Sequence, residues 1–233
     1  MRISTAIRLG RVSNLPTVWS NVLAGIVLAG AAAAVADWIA LLLSFSLFYT
    51  GGMYLNDYYD REYDAAAKPD RPIPLGEAPA ATVFYAGTAM LTAAVMAVCW
   101  VSLRHGTLGS GLAAAGALAL TIVAYDRNHK ANPFGPLLMA LCRVLIYVGC
   151  AAALIGIPAP ATLGACVVLL GYLVALTYVA KRGADDRTVA LLIAGISLLD
   201  SAFIAAAGQG GLAVLAAVGF PSTLVLQRWV RGT

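Results

Sequence analysis

Asp57, Asp60 and Asp64 recur at steps of three and four residues in the stretch Asn56-Asp57-Tyr58-Tyr59-Asp60-Arg61-Glu62-Tyr63-Asp64. In a helix those steps set three carboxylates on one face. Oxygen donors at that density suit a hard divalent cation such as Mg²⁺, which keeps several waters and shares its other positions with phosphate oxygens. A basic loop follows at once in Lys68-Pro69-Asp70-Arg71-Pro72-Ile73-Pro74-Leu75-Gly76. Acids that hold a cation beside bases that hold an anion point to a diphosphate as the guest. With Asp57, Asp60 and Asp64 as metal ligands and Lys68, Arg71 and Lys130 on the outer oxygens, negative charge on a leaving group is stabilised. Diphosphate departure is the step such a site favours.

The elements that carry these residues are apolar. The 233-residue chain is 61% hydrophobic and 11% charged, the composition of an integral membrane protein. Spans of about 20 apolar residues fit at roughly 15–36, 38–56, 80–101, 107–125, 136–157, 162–180, 188–207 and 211–230. The runs are continuous, whereas membrane strands alternate. The expected fold is therefore all-α: a polytopic protein of about eight to nine transmembrane helices around a central cavity that opens to the cytoplasmic side, with residues 1–233 forming a single domain. Arg2, Arg8 and Arg11 before the first apolar run resemble a secretory signal, but a run of about 22 residues exceeds a signal core of about 7–15. We read it as a retained helix.

Charge gives the orientation. Thirteen of the 15 Lys and Arg residues and nine of the 11 acids fall on one side of this eight-span arrangement, which the positive-inside rule makes cytoplasmic, with both termini there. The absence of a targeting peptide adds the expectation of a multi-pass protein of the cell inner membrane. No basic stripe is interleaved with stacking aromatics, so no nucleic-acid partner is expected. Cys99, Cys142, Cys150 and Cys166 lie within spans without metal-ligand spacing. His105 and His129 are isolated.

Two further loops lie on the same side as the aspartates: Tyr125-Asp126-Arg127-Asn128-His129-Lys130-Ala131-Asn132-Pro133 and Lys181-Arg182-Gly183-Ala184-Asp185-Asp186-Arg187. All three loops are expected to face one cavity. The group attached to a diphosphate in an apolar tunnel is well served by a prenyl chain, whose allylic carbon carries positive charge after ionisation. Tyr54, Tyr58 and Tyr147 offer aromatic faces to that cation, although a tyrosine at the membrane interface is more often a headgroup anchor.

The chain resembles the UbiA family of intramembrane prenyltransferases in the NDxxDxxxD formed by Asn56, Asp57, Asp60 and Asp64. It is also similar in Arg71-Pro72-Ile73-Pro74-x-Gly76, in Asn14-x-Pro16 with Asn21 and Gly25, in Tyr125-x-x-x-x-Lys130, and in span number. Tyr125-Asp126-x-x-His129-Lys130-x-Asn132-Pro133, followed by Met139-x-x-Cys142-Arg143, looks most like the small EboC-like branch. The resemblance implies transfer of a prenyl group from prenyl diphosphate to an acceptor, with Mg²⁺ held between two aspartate-rich motifs and membrane lipid around the helices. The second motif departs from the family pattern, because Asp185 and Asp186 are adjacent where DxxxD is expected. Three readings stand: Asp185 or Asp186 alone holds the cation, Lys181 and Arg182 contact phosphate directly, or the donor is unusual.

Arg143 and Asp200 each cost about 2.5–3.5 kcal/mol within a span unless paired or hydrated. One reading places both in the cavity with Asn21, as substrate-binding groups beside Asn56, Lys68, Tyr125, Lys130 and Lys181. Asp200→Ala then abolishes product in a folded protein. The other reading is a structural ion pair between helices. The rival functions are a transport or binding protein for a cation or phosphorylated lipid, for which paired broken helices are missing, a CDP-lipid phosphotransferase, whose DGxxAR opening is missing, and a non-catalytic family member. Neither the acceptor nor the oligomeric state is legible in the sequence.

Overall fold

The computed structural model describes residues 1–128 and 132–230. All regular structure among them is helical: α1 (Ile3–Leu9), a 3-10 turn (Val12–Asn14), α2 (Leu15–Ala29), α3 (Val35–Ala67), α4 (Ala80–Arg104), α5 (Leu108–Asn128), α6 (Gly135–Ile155), α7 (Pro160–Lys181), α8 (Asp186–Ala206), α9 (Gly210–Ala217) and α10 (Gly219–Gln227). Eight spans among the described residues are long and apolar enough to cross a membrane, α9 and α10 together making the eighth.

The expected boundaries shift in three places, each for a local reason. α2 stops at Ala29 rather than near residue 36, because Gly30 takes a left-handed φ of 67° and closes the helix. The last span breaks at Val218, where Pro221 has no N–H to offer the carbonyl of Ala217. α3 does the opposite and continues to Ala67, 33 residues in all. At 1.5 Å per residue it is about 50 Å long, well beyond a hydrocarbon core of about 30 Å. Its final turns stand clear of the apolar layer and carry the aspartates.

α2 and α6 form the centre of the bundle. Buried residues make up 72% of the α2 span and 56% of α6, more than in any other span. One apolar core joins them to α3, α4 and α5, around Phe45, Phe48, Leu118 and Ile146. A second joins them to α7, α8 and α9, around Leu169, Ile196 and Ile204. At the far turn, the Asp37 carboxylate accepts from the Ala34 amide at 2.9 Å and from Arg104 at 2.8 Å, and meets His105 at 3.1 Å. That contact explains the one basic residue, Arg104, that charge bias left on the opposite side.

α3 is held against α4 by facing glycines. A Cβ on Gly51 would lie 2.9 Å from the Gly87 carbonyl oxygen, and one on Gly87 would lie 3.0 Å from that of Gly51. Backbones approach this closely only where side chains are missing, the usual device for helix contact in membranes. Gly87→Val is expected to destabilise the protein by about 1–3 kcal/mol through overpacking, read as earlier thermal unfolding in detergent. An unchanged Tm would show that α3 and α4 separate without cost.

Candidate active site

The α3 extension presents Asn56, Asp60 and Asp64 at successive i, i+4 steps along one cavity wall. Asp57 departs from the three-aspartate face expected from spacing. Helix rotation sets it about 20° from Asp64, but its carboxylate is taken by two guanidinium groups: Oδ1 accepts from Arg11 at 3.0 Å and from Arg71 at 2.7 Å. Asp57 is buried, and both arginine side chains are less than one-fifth exposed. Its carboxylate holds these two guanidinium groups and borders the outer basin rather than the cavity lined by Asp60 and Asp64.

Arg71 arrives there because the proline-rich loop after α3 folds back. Arg8 of α1 fixes that loop, donating to Glu77 at 3.1 Å and to the Asp70 carbonyl at 2.8 Å. Arg11 comes from the junction of α1 and the 3-10 turn, with φ 41° and ψ 49°. Among the described residues it is the one non-glycine at positive φ. A strained backbone of this kind persists where surrounding contacts over-determine it, and here Asn56 and Asp57 both accept from its guanidinium, Asn56 at 3.2 Å. No spacing rule links Arg11 to residues 45 positions away; its helpful signal was only its place in the basic segment before α2.

The cavity has a volume of about 450 Å³. One end carries Arg11, Lys68 and Arg71 beside Asn56, Asp60, Asp64, Tyr125 and Asp126, and its depth is walled by Phe45, Phe48, Leu118, Ile122, Ile146, Leu173 and Ile193. Arg143 also lines it. A second basin of about 480 Å³ shares Arg11, Lys68 and Arg71 and adds Arg8, Asp57, Asp186 and Trp229. Among the described residues no three acidic, histidine or cysteine side chains converge into a ready cation cage. Lys130 and His129 lie outside the described residues.

Several expectations are corrected. Asp185 does not reach the cavity. Gly183, at φ 85°, ends the turn after α7, so Asp185 becomes the N-cap of α8 and accepts from the Thr188 amide at 3.2 Å. The hydrogen bond from Thr188 holds its carboxyl below the usual range. Asp186 is exposed at the outer basin, and Lys181 is exposed outside the cavity lining. Tyr54 and Tyr147 are buried and directed elsewhere, to the Ala6 carbonyl and to Asp200, while Tyr58 stacks on Phe84. Among the described residues, the aromatic rings that line the cavity are Phe45, Phe48, Tyr49, Tyr63 and Tyr125.

Asp200 does not face the cavity either. It is fully buried, accepting from Ser20 at 2.5 Å, from Asn21 at 3.0 Å and from the Tyr147 hydroxyl. Asn21 uses its other end as well: its Oδ1 accepts from Arg143 at 2.9 Å, and Arg143 also donates to Thr17 at 2.9 Å. The expected ion pair is thus an amide relay, Asp200 to Asn21 to Arg143, in which only the arginine borders the cavity.

A polytopic helical bundle whose apolar cavity ends in facing acidic and basic groups defines an intramembrane protein equipped for an amphiphilic anion. Residues 15–232 match the UbiA prenyltransferase family, and the chain belongs to that family. It is 44% identical over 59 residues to digeranylgeranylglyceryl phosphate synthase of Methanospirillum hungatei, and 38% identical over 73 residues to that of Methanothrix thermoacetophila. These matches cover 25% and 31% of this chain but only 20% and 27% of the two relatives. Among solved structures, a digeranylgeranylglyceryl phosphate synthase superposes with a TM-score of 0.64 at 14% identity, covering 96% of this chain and 87% of that one. A UbiA homologue from Archaeoglobus fulgidus gives 0.61 at 17%, covering 97% and 86%. The same homologue bound to GPP and Mg²⁺ gives 0.59 at 16%, covering 97% and 86%.

Proposed function

We propose that the chain transfers a prenyl group from a prenyl diphosphate to an acceptor nucleophile within the membrane, as a single catalytic domain. The observation that carries this reading is the cavity itself: an apolar interior closed at its mouth by the Asn56–Asp60–Asp64 stripe facing Arg11, Lys68 and Arg71. Family membership and the Archaeoglobus homologue with GPP and Mg²⁺ support it.

The donor set fits Mg²⁺. Asp60 and Asp64 lie one turn apart with the Asn56 amide before them, all oxygen donors on one wall. A site with two carboxylates and no closed cage is the kind Mg²⁺ shares with phosphate oxygens. Asp60 and Asp64 would hold the cation, which would neutralise charge on the diphosphate. Arg11, Lys68 and Arg71 donate to the outer oxygens, the two arginines held in place by Asp57. The C1–O bond of the donor breaks with its electron pair leaving on diphosphate. Phe45, Phe48 and Tyr49 shield the allylic cation from water and offer ring faces to it. The acceptor nucleophile then bonds to C1 and releases its proton.

The outer basin is where we place an anionic acceptor head group, since it shares three cationic residues with the donor cavity and adds Arg8. The names of the curated relatives support a glycerol phosphate acceptor. The charge bias supports a cytoplasmic mouth and a place in the cell inner membrane. Purified protein in lipid, supplied with radiolabelled prenyl diphosphates and a cell extract, is expected to release diphosphate only with Mg²⁺. Asp60→Asn is expected to lower that release at least about 100-fold. Donor binding without release across the panel would overturn the transferase reading in favour of a binding or transport role.

A further inference from the structure

Among the described charged side chains that line the cavity, Arg143 alone stands apart from the polar end. On α6 it follows Met139, whose sulfur meets the Tyr125 hydroxyl at 4.0 Å, by four residues and precedes Ile146 by three. It therefore lies about 6 Å further in than Met139 along the helix axis, at the border of the apolar depth. Neighbouring helices hold it there. Nη1 donates to Asn21 Oδ1 at 2.9 Å and Nη2 to Thr17 Oγ1 at 2.9 Å, and the guanidinium carbon is 5.5 Å from the centre of the Tyr49 ring. Asp200 fixes the sense of the Asn21 amide: the nitrogen donates to both Asp200 oxygens at 3.0 Å, which leaves the amide oxygen for Arg143.

A guanidinium carries five N–H donors, so Arg143 keeps N–H groups beyond the two these bonds use. A prenyl diphosphate does not supply their acceptor, because its phosphates belong at the polar end with Arg11, Lys68 and Arg71 and everything past C1 is hydrocarbon. A polar track leads to Arg143 from elsewhere. Arg11 borders both the cavity and the outer basin, its carbonyl accepts from the Tyr49 hydroxyl at 3.4 Å, and the Tyr49 ring lies against Arg143. We propose that Arg143 selects the acceptor, its remaining N–H groups donating to an ether or hydroxyl oxygen on the carbon next to the reacting hydroxyl, while the anionic head group stays in the outer basin. A glycerol phosphate bearing one ether chain has such an oxygen. The inference rests on the transferase reading and deepens it, assigning the group that tells a glycerol backbone from a simple alcohol. Arg143 stays protonated and takes no part in the exchange of bonds at C1.

Two acceptors test this on the full chain in lipid nanodiscs with Mg²⁺ and radiolabelled prenyl diphosphates: a monoalkyl glycerol phosphate with one free hydroxyl, and its analogue in which a methylene replaces the ether oxygen. The unmutated protein is expected to favour the first about 10- to 100-fold in kcat/KM, the scale of a hydrogen bond to a charged group. Arg143→Gln is expected to bring that ratio close to one with donor KM unchanged, and a ratio between two acceptors on one protein does not depend on how much of it folds. Arg143→Lys, which keeps the charge and loses the fork, is expected to fall between. No preference in the unmutated protein, or a preference that survives Arg143→Gln, would overturn this inference alone and leave Arg143 a structural link between α2 and α6. Refusal of both acceptors while a cell extract still drives Mg²⁺-dependent diphosphate release would do the same. Absence of release with the extract as well would overturn it together with the transferase reading.

Discussion

Asp57→Asn is expected to lower kcat for prenyl transfer about 100- to 1,000-fold, the scale of losing oriented charge stabilisation in a transition state, while KM for the donor stays level or falls. The asymmetry follows from where the carboxylate sits. Asp57 holds Arg11 and Arg71 through a single oxygen, Oδ1, at 3.0 and 2.7 Å. Replacing it by an amide removes one negative charge from a mouth that must bind an anion, so ground-state attraction for diphosphate does not weaken. The two guanidinium groups lose the anchor that aims them, and stabilisation that depends on aim is lost mainly in the transition state. Arg11 has the further burden of its positive φ, which its contacts must hold. Steady-state kinetics across donor concentration reads the split. A raised KM with unchanged kcat would sink the positioning role and return Asp57 to ordinary ground-state binding.

The acidic wall of the cavity was legible in the sequence because that wall is one helix, and helical periodicity carries the information locally. Asp60 and Asp64 fall where their spacing puts them. Asp57 did not: its spacing sets it within about 20° of Asp64, and partners outside the helix decide where its carboxylate turns. Those partners, Arg11 from the amino-terminal segment and Arg71 from the folded-back loop, are tertiary facts. The same limit hid Asp126. It reads as one more acid in a short polar loop until α5 is packed against α3 and Asn56 is seen to hold it. Asp185 and Asp186 were ambiguous for a different reason: a glycine before adjacent acids is compatible with both a ligand pair and a helix start, and the left-handed Gly183 selects the start. Span count and helical class were legible throughout, because about 20 apolar residues in a row have few alternatives in a bilayer. The run across residues 15–36 concealed a turn, since four alanines after Gly30 are apolar enough to continue a span on hydropathy alone.

Asp200→Ala is expected to cost the fold before it costs the chemistry, reversing the expectation of a folded, inactive protein. The carboxylate joins three helices: Ser20 and Asn21 come from α2, Tyr147 from α6, and Asp200 itself from α8. Truncation strips the acceptor from Ser20, the Asn21 amide and the Tyr147 hydroxyl together, and leaves the Arg143 charge with the polar ends of Asn21 and Thr17 and the Tyr49 ring. Hydrogen bonds between membrane helices average only about 0.6 kcal/mol, because an unfolded helix finds other partners in the membrane. A sealed site offers none, and breaking a buried charged network from one side costs about 3–5 kcal/mol. Since α2 and α6 are the two most buried spans, the loss falls at the centre of the bundle. Asp200→Asn, which keeps an acceptor oxygen and adds a donor without a clear place to go, is expected to fall between wild type and alanine. Thermal unfolding in detergent, followed by size-exclusion elution of the heated protein, measures this directly. An Asp200→Ala protein with wild-type Tm and no product would refute the structural role and place the carboxylate back in the reaction.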